Sequence, residues 1–268
     1  SAITQADNVV AIGNSAAYNL TTASNNIAIG FRAMVTHTTG ERNTVIGTNA
    51  MADTDAGSTS AGSVDNTFIG HNAGGGTWTN AASNYNVGIG NYVMDSALAG
   101  VQYTTAVGMN ALSAVTSGQN NSVFGTQAGT AITTGNDNIA IGTQAMLTHT
   151  TGDRNIAIGS KVMDDTNAGS TAQNSNDNIF MGYDAGGGTW ANTVSEYNVA
   201  IGNYTMDSAL DGANKNVAIG YSALSSPVSS DRNVAIGYQA ATATTVGRDN
   251  VIIGNEAGHD ITSTVEVV

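Results

Sequence analysis

Apolar residues along this chain follow no helical period. They come in short bursts, most of them opened by Asn and closed by Gly, as in Asn26-Ile27-Ala28-Ile29-Gly30. The motif occurs 14 times between Gly13 and Gly254. A short β-branched run bounded by Asn and Gly reads as a strand, and the Gly lets the backbone turn where a side chain would not fit. Three and four residues on stand a small residue and then Met or Leu: Ala33/Met34, Ala50/Met51, Ala145/Met146, Ala223/Leu224. That pair predicts a second short strand or turn with one inward side chain. A Thr-, Gly- and charge-rich stretch such as THTTGER (36–42) then reads as a loop. About 17 residues with two turns leave strands of four or five residues and no room for a helix.

The spacing between closing glycines runs 17, 17, 23, 20, 18, 17, and the series then repeats. A longer repeat of 112 residues therefore lies over the short one, with 26–137 matching 138–249. THTTG, GGGTW and MDSAL each return at that distance. A unit this short cannot bury its apolar face alone, so the units must stack as rungs of a parallel β-solenoid. Residues 1–258 read as one solenoid of about 14 rungs, and 259–268 as a cap or transition segment. Stacking places Asn on Asn, where amide ladders can form.

Side chains alternate along a strand. With Ile27 and Ile29 pointing inward, the middle residue points out. That middle residue is never polar: Ala28, Val45, Phe68, Ala106, Val123, Ala140, Ala157, Phe180, Ala200, Ala218, Ala235 and Ile252 are examples. A strand apolar on both sides is buried on both sides, and a long apolar stripe is an association surface. These residues are therefore expected to pack against other copies of the chain, with three copies around a common axis.

Composition narrows the function. Only 10% of residues are charged and the net charge is −13, which disfavours nucleic acid and anionic membrane as partners. No apolar run approaches the roughly 20 residues of a membrane span. The opening SAITQAD has neither the basic nor the apolar region of a signal peptide. Cysteine is absent, so no disulfide or thiolate site holds the fold. No nucleophile elbow, P-loop or zinc-protease motif appears.

The longer units place extended loops at 52–65, 75–85 and 95–103, and again at 164–177, 187–197 and 207–215. These are expected to protrude as two bulges per chain. Trp78 and Trp190 lie in them, with Tyr85, Tyr92, Tyr197 and Tyr204 on the same or the next rung. Two readings stand: an aromatic platform for a sugar or receptor, or a large side chain that holds the loop down. Asp53, Asp55 and Gly57, with Asp165, Asn167 and Gly169, form a fragment of a calcium loop without its bidentate Glu; Asx turns give the same composition. Calcium is the only cofactor these residues suggest. His37 and His149 fall in the duplicated THTTG turn and read as solvated turn residues.

NIAIG, NVAIGYSAL, NVAIGYQA and NVIIGNEAG resemble the head repeats of YadA-like trimeric autotransporter adhesins, and more closely the 17-residue repeats of bacteriophage tail fibres. The likeness covers essentially all of 8–258. It implies a left-handed parallel β-roll, an intertwined homotrimer, and an extracellular or virion location. The expected function is a structural, non-enzymatic fibre segment that presents repeated loops to a cell-surface glycan or protein receptor. A bacterial adhesin head, or a fibre that degrades glycans, are the alternatives. The neck, coiled-coil stalk and barrel of the adhesins and the self-cleaving domain of phage fibres have no counterpart in the 268 residues.

Overall fold

The computed structural model describes residues 7–54, 62–79, 81–166 and 174–263. The chain divides into two compact units, Ser1–Gly135 and Asn136–Val268. The first holds β1 (Val10–Ile12), β2 (Ile27–Ile29), β3 (Thr44–Ile46), β4 (Thr67–Ile69), β5 (Val87–Ile89), β6 (Thr105–Val107) and β7 (Ser122–Phe124). The second holds β8 (Ile139–Ile141), β9 (Ile156–Ile158), β10 (Ile179–Met181), β11 (Val199–Ile201), β12 (Val217–Ile219), β13 (Val234–Ile236) and β14 (Val251–Ile253). Within each unit consecutive strands pair in parallel and in register, Ala28 with Val45 and Val45 with Phe68, for example. Each unit is an all-β parallel solenoid with one strand per rung. Residues 259–262 keep the same rung-to-rung bonding, with Ala243 N donating to His259 O (3.2 Å) and Thr245 N to Thr262 O (3.0 Å).

Each strand has three residues, not the four or five expected. The backbone leaves the β region at both ends. The residue before the Asn sits at φ near +60°, as in Asn25 (60°), Arg42 (58°) and Tyr85 (60°). The closing glycine sits at 138° in Gly30 and 131° in Gly220. A Cβ on Gly30 would overlap the carbonyl oxygen of Gly47 on the next rung, so neither the angle nor the space admits a side chain.

The segment after the glycine is a turn, not a second strand. Its second and fourth residues are left-handed, as in Arg32 (55°) and Met34 (54°). Such residues cost energy locally, and bonds between rungs offset it. Arg32 N donates back to Asn14 O (2.9 Å), and Met34 N donates forward to Ala50 O (3.0 Å). The turn also delivers two inward side chains rather than one: Ala33 and Met34 are both fully buried.

The strand faces the opposite way from the expectation. Ala28, Val45, Phe68, Ala106, Val123, Ala140, Ala157, Phe180, Ala200, Ala218 and Ala235 are fully buried within the single chain, and Ile252 is 6% exposed. They are the core of each solenoid and cannot be an interface between copies. The lumen is narrow: it takes one side chain from the strand and two from the turn, and in several rungs one more from the loop, as with Leu20, Leu98, Val115 and Ile132. Small residues fit there, while the larger branched residues on either side point out.

Sizes across the lumen are matched. Where the middle position is Ala, the fourth residue after Gly is mostly Met or Leu. Where it is Phe68, Val123, Phe180 or Ile252, that residue is Gly74, Gly129, Gly186 or Gly258. A Cβ on Gly74 would lie 2.9 Å from the Phe68 ring, and one on Gly186 would lie 2.6 Å from Phe180. A ring on one wall thus demands the absence of bulk on the other, as close packing requires, while the smaller Val45 still faces Met51.

A polar spine flanks this core. Asn26, Asn43, Asn66, Asn86 and Asn121 are fully buried in the first unit, as are Asn138, Asn155, Asn178, Asn198, Asn216 and Asn250 in the second. Asn43 shows the arrangement. Its backbone N (2.8 Å) and Nδ2 (3.2 Å) donate to Asn26 Oδ1, and Nδ2 also donates to Ser63 O (2.9 Å). Its Oδ1 in turn accepts from the backbone N (3.0 Å) and Nδ2 (3.1 Å) of Asn66. Asp lacks the two donors and Leu lacks both functions, so an amide serves this position best. Thr104 interrupts the column, its hydroxyl accepting from Asn121 N at 3.4 Å.

His37 and His149 belong to this spine and are fully buried, contrary to the solvated-turn reading. His37 Nδ1 lies 3.1 Å from Thr54 Oγ1, and Nε2 lies 3.3 Å from Asn43 Nδ2. His149 repeats this with Thr166 (3.1 Å) and Asn155 (3.2 Å). Burial pushes both pKa values down to about 4. They anchor the loop to the spine, a role invisible in the composition of THTTG.

Candidate functional site

With the middle residues inside, the strand residues on either side form the outer face. They are Val, Ile, Thr, Ser, Phe and Met, and none is charged. In the first unit Ile12 (59%), Ile89 and Phe124 are exposed; in the second, Ile141, Ile201, Ile219, Val251 and Ile253 (64%) are exposed. The expectation of a strand apolar on both sides holds with the sides exchanged in the second unit, while in the first Thr44, Thr67, Thr105 and Ser122 make the outer side mixed. An apolar stripe one strand wide, repeated on successive rungs, is the kind of surface that associates.

Trp78 and Trp190 do not belong to an outer platform. Both are fully buried. Each Nε1–H donates to a backbone carbonyl, Gly74 O and Gly186 O respectively, at 2.9 Å. Their rings pack on Phe68 and Phe180 with centroids 5.8 and 5.7 Å apart. The long loop supplies a tryptophan because the rung beneath it has a phenylalanine and a glycine that leave a lumen to fill.

The four tyrosines lie outside, in two separate columns. Tyr85 and Tyr197 precede a strand. Tyr85 stacks on Tyr103 with centroids 5.1 Å apart. Tyr92 and Tyr204 follow a closing glycine. Tyr92 meets His71 edge to face at 5.2 Å. Tyr204 sits between Tyr183 (5.4 Å) and Tyr221 (5.7 Å), and Tyr221 stacks on Tyr238 (5.4 Å). Tyr183, Tyr221 and Tyr238 were missed by the sequence reading. Their signal was there, since Tyr directly follows the closing glycine in IGYSAL and IGYQA.

Carboxylates adjoin this column in the second unit. Burial, and then the Asp184 carboxylate, push Asp164 and Asp207 up to about 6, with Lys161 pulling Asp164 back. Of the expected calcium residues, Asp53 accepts from Thr77 Oγ1 at 2.6 Å and Asp165 from Thr189 Oγ1 at 2.5 Å. Asp55 and Asn167 lie outside the described residues. Among the described residues, no group of three or more His, Cys, Asp or Glu is arranged to hold a metal ion.

The column that precedes the strands carries ion pairs. Arg42 holds Asp65 through Nε (2.7 Å) and Nη2 (2.8 Å). Arg154 holds Asp177 (2.7 and 2.9 Å) and Arg232 holds Asp249 (2.6 and 2.8 Å) in the same two-pronged way. These arginines draw the pKa of each carboxylate below its usual value. Among the described residues, no helix is long and apolar enough to cross a membrane.

Comparison with known proteins gives no matching family model, and no curated protein matches the chain.

Proposed function

We propose that the chain is a structural, non-enzymatic segment of a homotrimeric fibre, a phage tail fibre or similar surface appendage. Its location would be extracellular or on a virion, and its role attachment to a cell-surface glycan or protein receptor. The observation that carries this reading is the uncharged, partly exposed strand face left on each unit after its own core is complete. Covering that face with two further copies removes the stripe from water. The backbone ladders and the amide spine supply stiffness. Sites repeated on a stiff scaffold raise avidity without any new contact.

Native mass measurement tests the assembly. The expected value is three times the 27.0 kDa chain, about 81 kDa. Replacing Ile201 and Ile219 together by Asp should release single chains without loss of β-structure, since both side chains point away from the lumen. A wild-type protein that runs as a single copy at micromolar concentration overturns the reading.

A further inference from the structure

We propose that a cleft in the second unit is a binding site for a neutral pyranose of a surface glycan. The proposal deepens the attachment role above and rests on it. The cleft holds about 320 Å³, at the lower end of the roughly 300–1,000 Å³ range of small-ligand sites. Its lining includes Glu196, Tyr197, Asn214, Lys215, Asp231 and Arg232.

Part of this lining is already committed. Glu196 Oε1 accepts from Asn176 Nδ2 at 3.1 Å. Asp231 Oδ1 accepts from Asn214 N at 2.9 Å. Arg232 spends Nε and Nη2 on Asp249. That leaves the second oxygen of each carboxylate, the remaining Arg232 nitrogen and the Lys215 ammonium among the lining residues for a ligand. Lys215 has no ion pair among the described residues. Strong acceptors beside strong donors suit adjacent hydroxyls, because each hydroxyl both donates and accepts. Tyr197, 53% exposed, offers an aromatic surface to the apolar side of the ring. An anionic sugar would meet two carboxylates on a chain of net charge −13. A simple cation would meet Lys215 and Arg232.

The first unit shows what the same scaffold looks like without these groups. The positions 112 residues earlier hold Asn84, Tyr85, Gln102, Tyr103, Gln119 and Asn120, all uncharged. There Tyr103 lies flat on Tyr85, with 1° between the rings, and covers its face. In the second unit Lys215 stands in place of Tyr103, and Tyr197 has no ring partner among the described residues. Four charges and one ring without a stacked ring partner thus arise together at one place, and the spine beneath changes with them, Asn216 standing where the first unit has Thr104. The two halves of the duplication are therefore not equivalent ligand sites.

The test is ligand-observed NMR on the intact protein with the methyl glycosides of glucose, galactose and mannose, and methyl glucuronide as the acidic comparison. Weak saturable binding of at least one neutral glycoside is expected. Tyr197→Ala and Lys215→Gln should each weaken it by about tenfold or more, and Tyr85→Ala should leave it unchanged. Absence of saturable binding for all three neutral glycosides overturns the proposal. So does tighter binding of the glucuronide, or equal loss with Tyr85→Ala. Native mass recorded on the same samples keeps the two readings apart. A trimer that binds no glycoside sinks the cleft alone, and a single chain that binds one sinks the trimer alone.

Discussion

Phe68, Gly74 and Trp78 in the first unit have Phe180, Gly186 and Trp190 as counterparts in the second. His71, Asn72 and Ala52 have Tyr183, Asp184 and Asp164. The first set is buried and unchanged; the second lies at or near the surface and differs. The contrast follows from packing. A narrow lumen ties each choice to the one across from it, so Phe68 and Phe180 stand opposite Gly74 and Gly186. An outward residue has no such partner and is free to acquire chemistry. Elsewhere the interior differs too, with Val45, Val93 and Thr104 having Ala157, Thr205 and Asn216 as buried counterparts, so the block acts as an internal control only at matched positions such as these Phe, Gly and Trp residues.

The largest effects are expected at the closing glycines, and they should be equal in the two units. A Cβ on Gly70 would overlap Gly90 O, and one on Gly182 would overlap Gly202 O, in each case at a φ of 143°. Gly70→Ala and Gly182→Ala should each cost roughly 4 kcal/mol or more, at the diagnostic end of the scale for single substitutions. Chemical denaturation of each variant checks this. Gly254→Ala sharpens the comparison. Among the described residues the nearest atom to its Cβ is Ala257 Cβ at 3.5 Å, so the backbone angle is what opposes the substitution. A Gly254→Ala variant as damaged as Gly182→Ala would mean that the angle, not the next rung, sets the requirement.

Next come the amides. Asn43→Ala and Asn155→Ala each strip partners from a buried carbonyl, Ser63 O or Ser175 O, and from the next asparagine in the column. Two or three unmet groups at about 1–3 kcal/mol apiece put the loss at roughly 3–6 kcal/mol. Matched losses by denaturation would support a common interior. A loss confined to one variant would break the claim that the spine is built the same way twice.

How much of this was legible follows from the same division. The rung, the stacking, the amide column and the 112-residue repeat could be read because they recur in letters. The direction of the strand could not. Ala28 between Ile27 and Ile29 is apolar on either assignment, and alternation says which residues share a side without saying which side is wet. Size held the answer: Ala opposite Met, and Phe opposite Gly, is the mark of a confined lumen. The left-handed turn residues were equally hidden, because Arg32, Met34 and Tyr85 are ordinary residues held there by neighbouring rungs. His37 was misread because a loop was equated with a surface, when it sends that side chain inward; Trp78, buried against Phe68, follows the second of its two readings, the side chain that holds the loop down.

Acid should separate the units. His37 and His149 are neutral when folded, with pKa values of about 4 against 6.5 unfolded. Unfolded chains bind the extra protons, so stability falls as pH drops from 6.5 toward 4, by about 3 kcal/mol per histidine. Asp164 and Asp207 carry the opposite sign. Their folded values of about 6 exceed the 3.8 of the unfolded chain, so their contribution is lost as pH rises from 3.8 through 6. In the second unit the two effects oppose one another. The first has Ala52 where Asp164 stands, and only Asp95, raised by burial, as the counterpart of Asp207. Asp164→Asn with Asp207→Asn should raise stability at pH 7 and steepen its loss between pH 6 and 4. An unchanged pH profile would show that these carboxylates titrate as free groups.

The smallest effects belong to the exterior. Arg42 and Arg154 make the same two-pronged contact with Asp65 and Asp177, and both arginines are about half exposed. Solvent and salt screen such pairs, and two long side chains must be ordered to form them. Arg42→Ala and Arg154→Ala should therefore leave the denaturation midpoint unmoved at physiological salt. A clear drop in one variant alone would be informative. It would mean that an outer column of that unit helps to hold its rungs, and the division between positions tied by packing and positions free of it would then fail at that column first.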